Sequence, residues 1–240
     1  MSSDFPTSAR CVVIGCGIVG NSLVYHLARL GWRDIVQIDK GPLPNPGGST
    51  GHASNFIFPV DHNKEMTALT AESSRQYREW GVYTECGGIE VARSETRMQE
   101  LRRRMASAKS WGIDSARLVT PAEIKELVPF IDESILVGGF HCPTVGVVDS
   151  LRFGTLCREK ALEMGALSVF ANTEVTGFDV EDGRVRAVKT TRGDIASDTI
   201  VIACGVWAPK VAELAGARIP LTPLVHQMID VGPVPRFEKS

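Results

Sequence analysis

Apolar positions fall along this chain in short runs of two kinds. Cys11-Val12-Val13-Ile14 and Ile35-Val36-Gln37-Ile38 are near-continuous apolar runs of strand length. Between them, residues 21–30 have helical spacing, closed by Gly31. The same spacing predicts helices over 65–80, ended by Gly81, and over 95–111. Thr120-Pro121-Ala122-Glu123 opens another helix: Thr caps it, Pro takes the first helical position, and Glu lies three residues on. That helix runs through Leu127 and stops at Pro129, and Asp149 or Ser150 caps a helix reaching Gly165. Strands are expected over 88–92, 136–141, 168–171, 175–180, 185–190 and 199–203. Glu181-Asp182-Gly183 joins two of these as a hairpin. Strands alternating with helices put the chain in the α/β class, α+β overall.

The first strand leads into Gly15-Cys16-Gly17-Ile18-Val19-Gly20, and Asp39 lies 19 positions beyond the last glycine. Strand, glycine turn, helix and acid in that order form a dinucleotide-binding fingerprint of Rossmann type. Gly15 permits the tight exit from the strand, Gly17 lets the backbone approach a pyrophosphate, and Gly20 lets helix and sheet pack closely. Ile18 and Val19 lie in this glycine turn, and the N-terminal N–H groups and dipole of the helix that follows favour phosphate. Asp39 suits a ribose diol, and Lys40 joins the same set. The next segment, Gly41 to Gly48, holds three prolines and three glycines in eight residues and excludes regular structure. It delivers Ser49, Thr50, His52 and Ala53 where the second half of a dinucleotide could lie. Hydroxyls and free amides there suit FAD; a nicotinamide enzyme would more usually enter another helix.

These residues resemble the flavin-dependent superfamily related to D-amino-acid oxidase, and within it the dimethylglycine and sarcosine dehydrogenase and oxidase group. The resemblance spans essentially all 240 residues. It rests on Val12 to Gly20, Gly48-Ser49-Thr50-Gly51-His52-Ala53, Gly87-Gly88-Ile89-Glu90-Val91-Ala92, Cys204-Gly205-Val206-Trp207-Ala208 and Pro223-Leu224-Val225-His226-Gln227. It implies FAD bonded covalently through His52 to the flavin 8α-methyl. It also implies a backbone contact from Val175 to adenine, with Gly205 and Trp207 near the flavin end. His226 is expected to line the substrate pocket; the tyrosine usual two places on is Met228 here. A discontinuous Rossmann-like FAD domain over 1–55 and 145–217 follows, with an incomplete mixed-sheet substrate domain over 56–144 and 218–240. The implied reaction is hydride transfer from a small secondary or tertiary N-methyl amine, with the iminium hydrolysing to formaldehyde.

Composition narrows the alternatives. With 28 acidic and 26 basic residues the net charge is −2, which gives no electrostatic case for nucleic acid or an anionic membrane. No apolar stretch approaches the ~20 residues of a membrane span. The first ten residues lack a signal pattern, so a cytoplasmic location is expected. Six cysteines show neither a CxxC pair nor zinc spacing, so no metal site is expected. The proline-rich tail, Val231 to Ser240, closes no element, which points to a fragment or to a partner subunit supplying the remainder. A nicotinamide-dependent dehydrogenase and a cofactor-binding assembly subunit are the competing readings.

Overall fold

A computed structural model describes residues 5–61, 63–225 and 227. In chain order the elements are β1 (Cys11–Ile14), α1 (Ile18–Arg29), β2 (Ile35–Ile38), β3 (Phe56–Ile57), α2 (Lys64–Glu79), β4 (Tyr83–Glu85) and β5 (Gly88–Ala92). Then come α3 (Glu95–Ser110), β6 (Arg117–Val119), α4 (Pro121–Leu127), β7 (Gly138–Cys142), β8 (Gly146–Val148) and α5 (Ser150–Glu163). The last are β9 (Leu167–Phe170), β10 (Val175–Glu181), β11 (Arg184–Thr190), β12 (Gly193–Ala196), β13 (Ile200–Ile202) and α6 (Ala208–Glu213). They divide into two compact units, Met1–Ala53 with Ser150–His226, and Ser54–Asp149 with Gln227–Ser240.

The first unit is layered around a four-stranded parallel sheet in the order β13-β1-β2-β9. Strands β1 and β2 are buried at every position, as expected of a parallel sheet covered on both faces. Cys11, Val13 and Ile35 face α1 and α5, packing with Val24, Ala28 and Ala161. Val12, Ile14, Val36 and Ile38 face Val188 and Ile195 of the antiparallel β10-β11-β12 sheet. The β10–β11 hairpin turns at Asp182 and Gly183, both at positive φ (50° and 73°), as Asp-Gly predicts.

The second unit holds two antiparallel three-stranded sheets, β3-β8-β4 and β5-β7-β6. Helix α3 lays Met98, Leu101, Met105 and Ala108 against Phe140 and Cys142 of β7. Arg104 of α3 stands over the Phe58 ring, pairs with Glu90 at 2.5 Å and donates to the Val60 carbonyl. The sequence-predicted α4 start is a complete capping box, with Thr120 and Glu123 exchanging bonds.

Helix α1 begins three residues earlier than its spacing predicts. Gly17 is extended (φ −71°, ψ 179°), so Ile18, Val19 and Gly20 form the first turn itself. Strands β3, β4, β6, β8 and β12 carry no usable sequence signal, being two to four residues long and fixed by their partners. No helix among the described residues is long and apolar enough to cross a membrane.

Candidate functional site

The carboxyl end of the parallel sheet gathers nearly all the residues singled out above within the first unit. Gly15 leaves β1 at φ 116°, where a Cβ would sit 2.4 Å from the Ala203 carbonyl oxygen beyond β13. A Cβ on Gly20 would lie 2.1 Å from the Gly15 carbonyl oxygen, so this glycine is demanded by its own turn rather than by helix–sheet spacing. Gly17 differs. An added Cβ would meet only Thr50 Oγ1, at 3.2 Å, and the rest of the space before it is open. Helix α1 begins there with no side-chain cap at Gly17 and no acid in its first turn. Open backbone and a positive dipole end are what an incoming pyrophosphate requires. The residues present therefore fit a dinucleotide.

Two polar side chains that sequence reading passed over hold this turn. Gln37, fully buried on β2, donates from Nε2 to the Gly15 carbonyl at 3.0 Å and to Asn21 Oδ1 at 3.1 Å. Asn21 Nδ2 donates to the Cys16 carbonyl at 2.9 Å. The available signal was Gln37 itself, one amide in an otherwise apolar strand, which needs buried partners. Asp39 closes the turn from below: Oδ2 accepts from the Cys16 N–H at 2.7 Å and Oδ1 from the Gly41 N–H at 2.8 Å. A carboxylate has about four acceptor positions, so two remain for a ribose diol. Burial, then the Asp39 charge, pushes the Cys16 thiol up to about 12 and the Cys204 thiol up to about 11. Both stay neutral thiols at physiological pH.

The loop after Asp39 is held differently. Thr50 Oγ1 accepts from the Ile18 N–H at 2.9 Å, which ties the loop to the start of α1, and the Thr50 carbonyl accepts from Ser150 Oγ at 2.7 Å. Asn45, also unnoticed in the sequence, lies where a Cβ on Gly51 would meet its amide at 2.7 Å. Trp207 closes the loop from above: a Cβ on Gly48 would lie 2.8 Å from its ring, and Lys40 Nζ stands 4.7 Å over that ring. Ser49, His52 and Ala53 are exposed, and the Ser49 carbonyl accepts from the N–H of both His52 and Ala53. His52 Nδ1 lies 2.7 Å from the Gly48 carbonyl oxygen. A carbonyl only accepts, so in the neutral ring Nδ1 carries the proton and Nε2 keeps its lone pair.

The other expected contacts are more distant in kind. Gly205 opens a single 3-10 turn, Gly205–Trp207, at φ 52°, with no protein atom within 4 Å of a notional Cβ. Val175 begins β10, half-buried, paired with Thr190. His226 lies outside the described residues.

The match to known proteins agrees with this geometry. The family model for the FAD dependent oxidoreductases (DAO) matches residues 10–240. The chain belongs to that family. Among curated proteins it is similar to mitochondrial sarcosine dehydrogenase of Mus musculus, 33% identical over 95% of this chain and 26% of the relative. It is also similar to the mitochondrial pyruvate dehydrogenase phosphatase regulatory subunit of Mus musculus, 29% identical over 86% of this chain and 24% of the relative. The chain thus spans about a quarter of the length of each. Among solved structures, L-proline dehydrogenase from P. horikoshii superposes with a TM-score of 0.81 at 28% identity, covering 88% of this chain and 57% of that one.

Proposed function

We propose that this member of the FAD dependent oxidoreductase family forms the flavin-binding part of an enzyme that oxidises a small N-methyl amine of the sarcosine type. One observation carries the cofactor half of that reading: His52 is anchored through Nδ1 to the Gly48 carbonyl and offers Nε2 outward. An imidazole held this way has a fixed orientation and, in its neutral form, a nucleophilic Nε2 suited to a bond with the flavin 8α-methyl. Gly15 to Gly20 would receive the pyrophosphate, Asp39 a ribose, and the Lys40–Trp207 stack would wall the loop side. The chemistry supplied by bound FAD is acceptance of a hydride from the carbon beside an amine nitrogen. Addition of water to the resulting iminium would release formaldehyde and the demethylated amine. His226, matching a pocket histidine of the resembled group, would help keep the substrate amine neutral.

The test is spectroscopic. Denatured wild-type protein on a gel should keep yellow flavin fluorescence, and His52→Ala should lose it; fluorescence persisting in His52→Ala rejects the linkage. Bleaching of the flavin by sarcosine, dimethylglycine or another N-methyl amino acid would identify the substrate class. A second reading, a flavin-binding subunit active only with another chain, is supported by the similarity to a regulatory subunit. Binding of flavin without bleaching by any such amine would favour it.

A further inference from the structure

Arg158 of α5 is out of keeping with its surroundings. Only 8% of its surface is exposed, and its Nη1 is enclosed with no hydrogen-bond partner. Its near neighbours in sequence, Arg152 and Glu159, pair with each other instead, and no carboxylate pairs with Arg158 among the described residues. An arginine cannot shed its charge on burial as a lysine can, so an uncompensated guanidinium in a helix–sheet layer is costly.

Its position supplies a reason. Gly154, one turn earlier on the same helix face, sits so close to α1 that a Cβ would be 3.0 Å from Asn21 Nδ2 and 3.7 Å from Ile18 Cδ1. Helical side chains slant toward the N-terminus and cover the preceding turn. By that rule the side chain at Arg158 covers the Gly154 turn, and Gly154 abuts Asn21, whose amide holds the Cys16 carbonyl in the glycine turn. The electrostatics agree, for the Arg158 charge acts on the Cys16 thiol and opposes the upward push of burial and Asp39. A buried positive charge thus lies behind a helix N-terminus that has no acid in its first turn and whose side-chain partner is the neutral Thr50 hydroxyl.

We propose that Arg158 is the buried counter-charge of the FAD pyrophosphate, acting through the Asn21 amide and the glycine turn rather than by contact. The proposal rests on the pyrophosphate lying at the start of α1. Arg158 is then a positioning residue, and a pyrophosphate dianion at the turn supplies the counter-charge that no paired carboxylate gives it among the described residues. The cost of the unpaired guanidinium falls on the apoprotein, so cofactor binding relieves it. A purely structural arginine would have no such asymmetry.

The experiment uses the full chain in a His52→Ala background, so that binding is reversible, with FAD and ADP as probes. Arg158→Met should weaken both by about 10-fold, the scale of one charge–charge interaction across roughly 10 Å of protein. The same substitution should raise the melting temperature of the apoprotein by about 2–4 °C, since it removes an unpaired buried charge. Arg158→Lys should keep most of the affinity. Unchanged FAD and ADP binding in Arg158→Met overturns the assignment alone. So does a fall in apoprotein melting temperature, which would mean that Arg158 serves packing or a bridging water to the enclosed Gln37 Oε1. Failure of the His52→Ala parent to bind either probe overturns the cofactor placement and this proposal with it.

Discussion

Two glycine-rich stretches of the first unit, Gly15–Gly20 and Gly47–Ala53, look alike in composition and are built on opposite principles. The first is fixed from within. Gly15 and Gly20 are forced by backbone contacts of 2.4 and 2.1 Å, and the buried Gln37 and Asn21 with the half-buried Asp39 satisfy its carbonyls and amides. The second is fixed from its edges, by Thr50 on α1, Trp207 against Gly48 and Asn45 against Gly51, while His52 stays exposed. A phosphate is recognised by a backbone shape, which must be rigid before the ligand arrives. A side chain that is to form a covalent bond, the role proposed for His52, needs only its own rotamer held and its reactive atom accessible.

Three substitutions or conditions test that contrast. Gly20→Ala should be the most damaging: a methyl group 2.1 Å from a carbonyl oxygen cannot be relieved by a side-chain shift, and a loss of at least about 3 kcal/mol in urea unfolding is expected. A loss below about 1 kcal/mol would mean that the turn is softer than its contacts indicate. Asp39→Ala removes two charge-assisted bonds to Cys16 and Gly41 and should cost about 2–3 kcal/mol even without cofactor, besides weakening FAD. If only FAD binding changed, the carboxylate would serve the ligand and not the turn. The third effect is absent near neutrality and appears only at high pH. A free thiol titrates near 9.0, Cys204 near 11 and Cys16 near 12, so the unfolded chain loses these protons first. Stability from the two thiols is complete below about pH 9 and is lost as pH rises toward 12. Cys16→Ala should flatten that decline, measured by thermal melts across the range, whereas His52→Ala should leave it unchanged.

How much was legible follows the same division. The α4 capping box, the Asp-Gly hairpin and the β1–turn–α1 unit depend on contacts between residues near in sequence; the first two stand where their residues foretold, and in the third only the start of α1 is displaced, by three residues. The placement of Thr50 on the Ile18 amide did not, because that bond spans 32 positions and no local pattern encodes it. Gln37 left a trace as one amide in an apolar run, yet its partner Asn21 lies 16 residues earlier on another element. Arg158 left none: helix spacing makes it one basic residue of Cys157-Arg158-Glu159-Lys160, and only packing of α5 against α1 makes it buried.

The order of residue types alone determined that a dinucleotide fold with an acid at its second strand begins this chain, and that a histidine follows on an irregular loop. Periodicity, turn chemistry and steric demand on glycine are local, so they survive in one dimension. What holds the glycine turn, and where a buried charge lies, were decided only when distant segments met. Burial and hydrogen-bond satisfaction depend on those meetings, and a linear chain does not carry them.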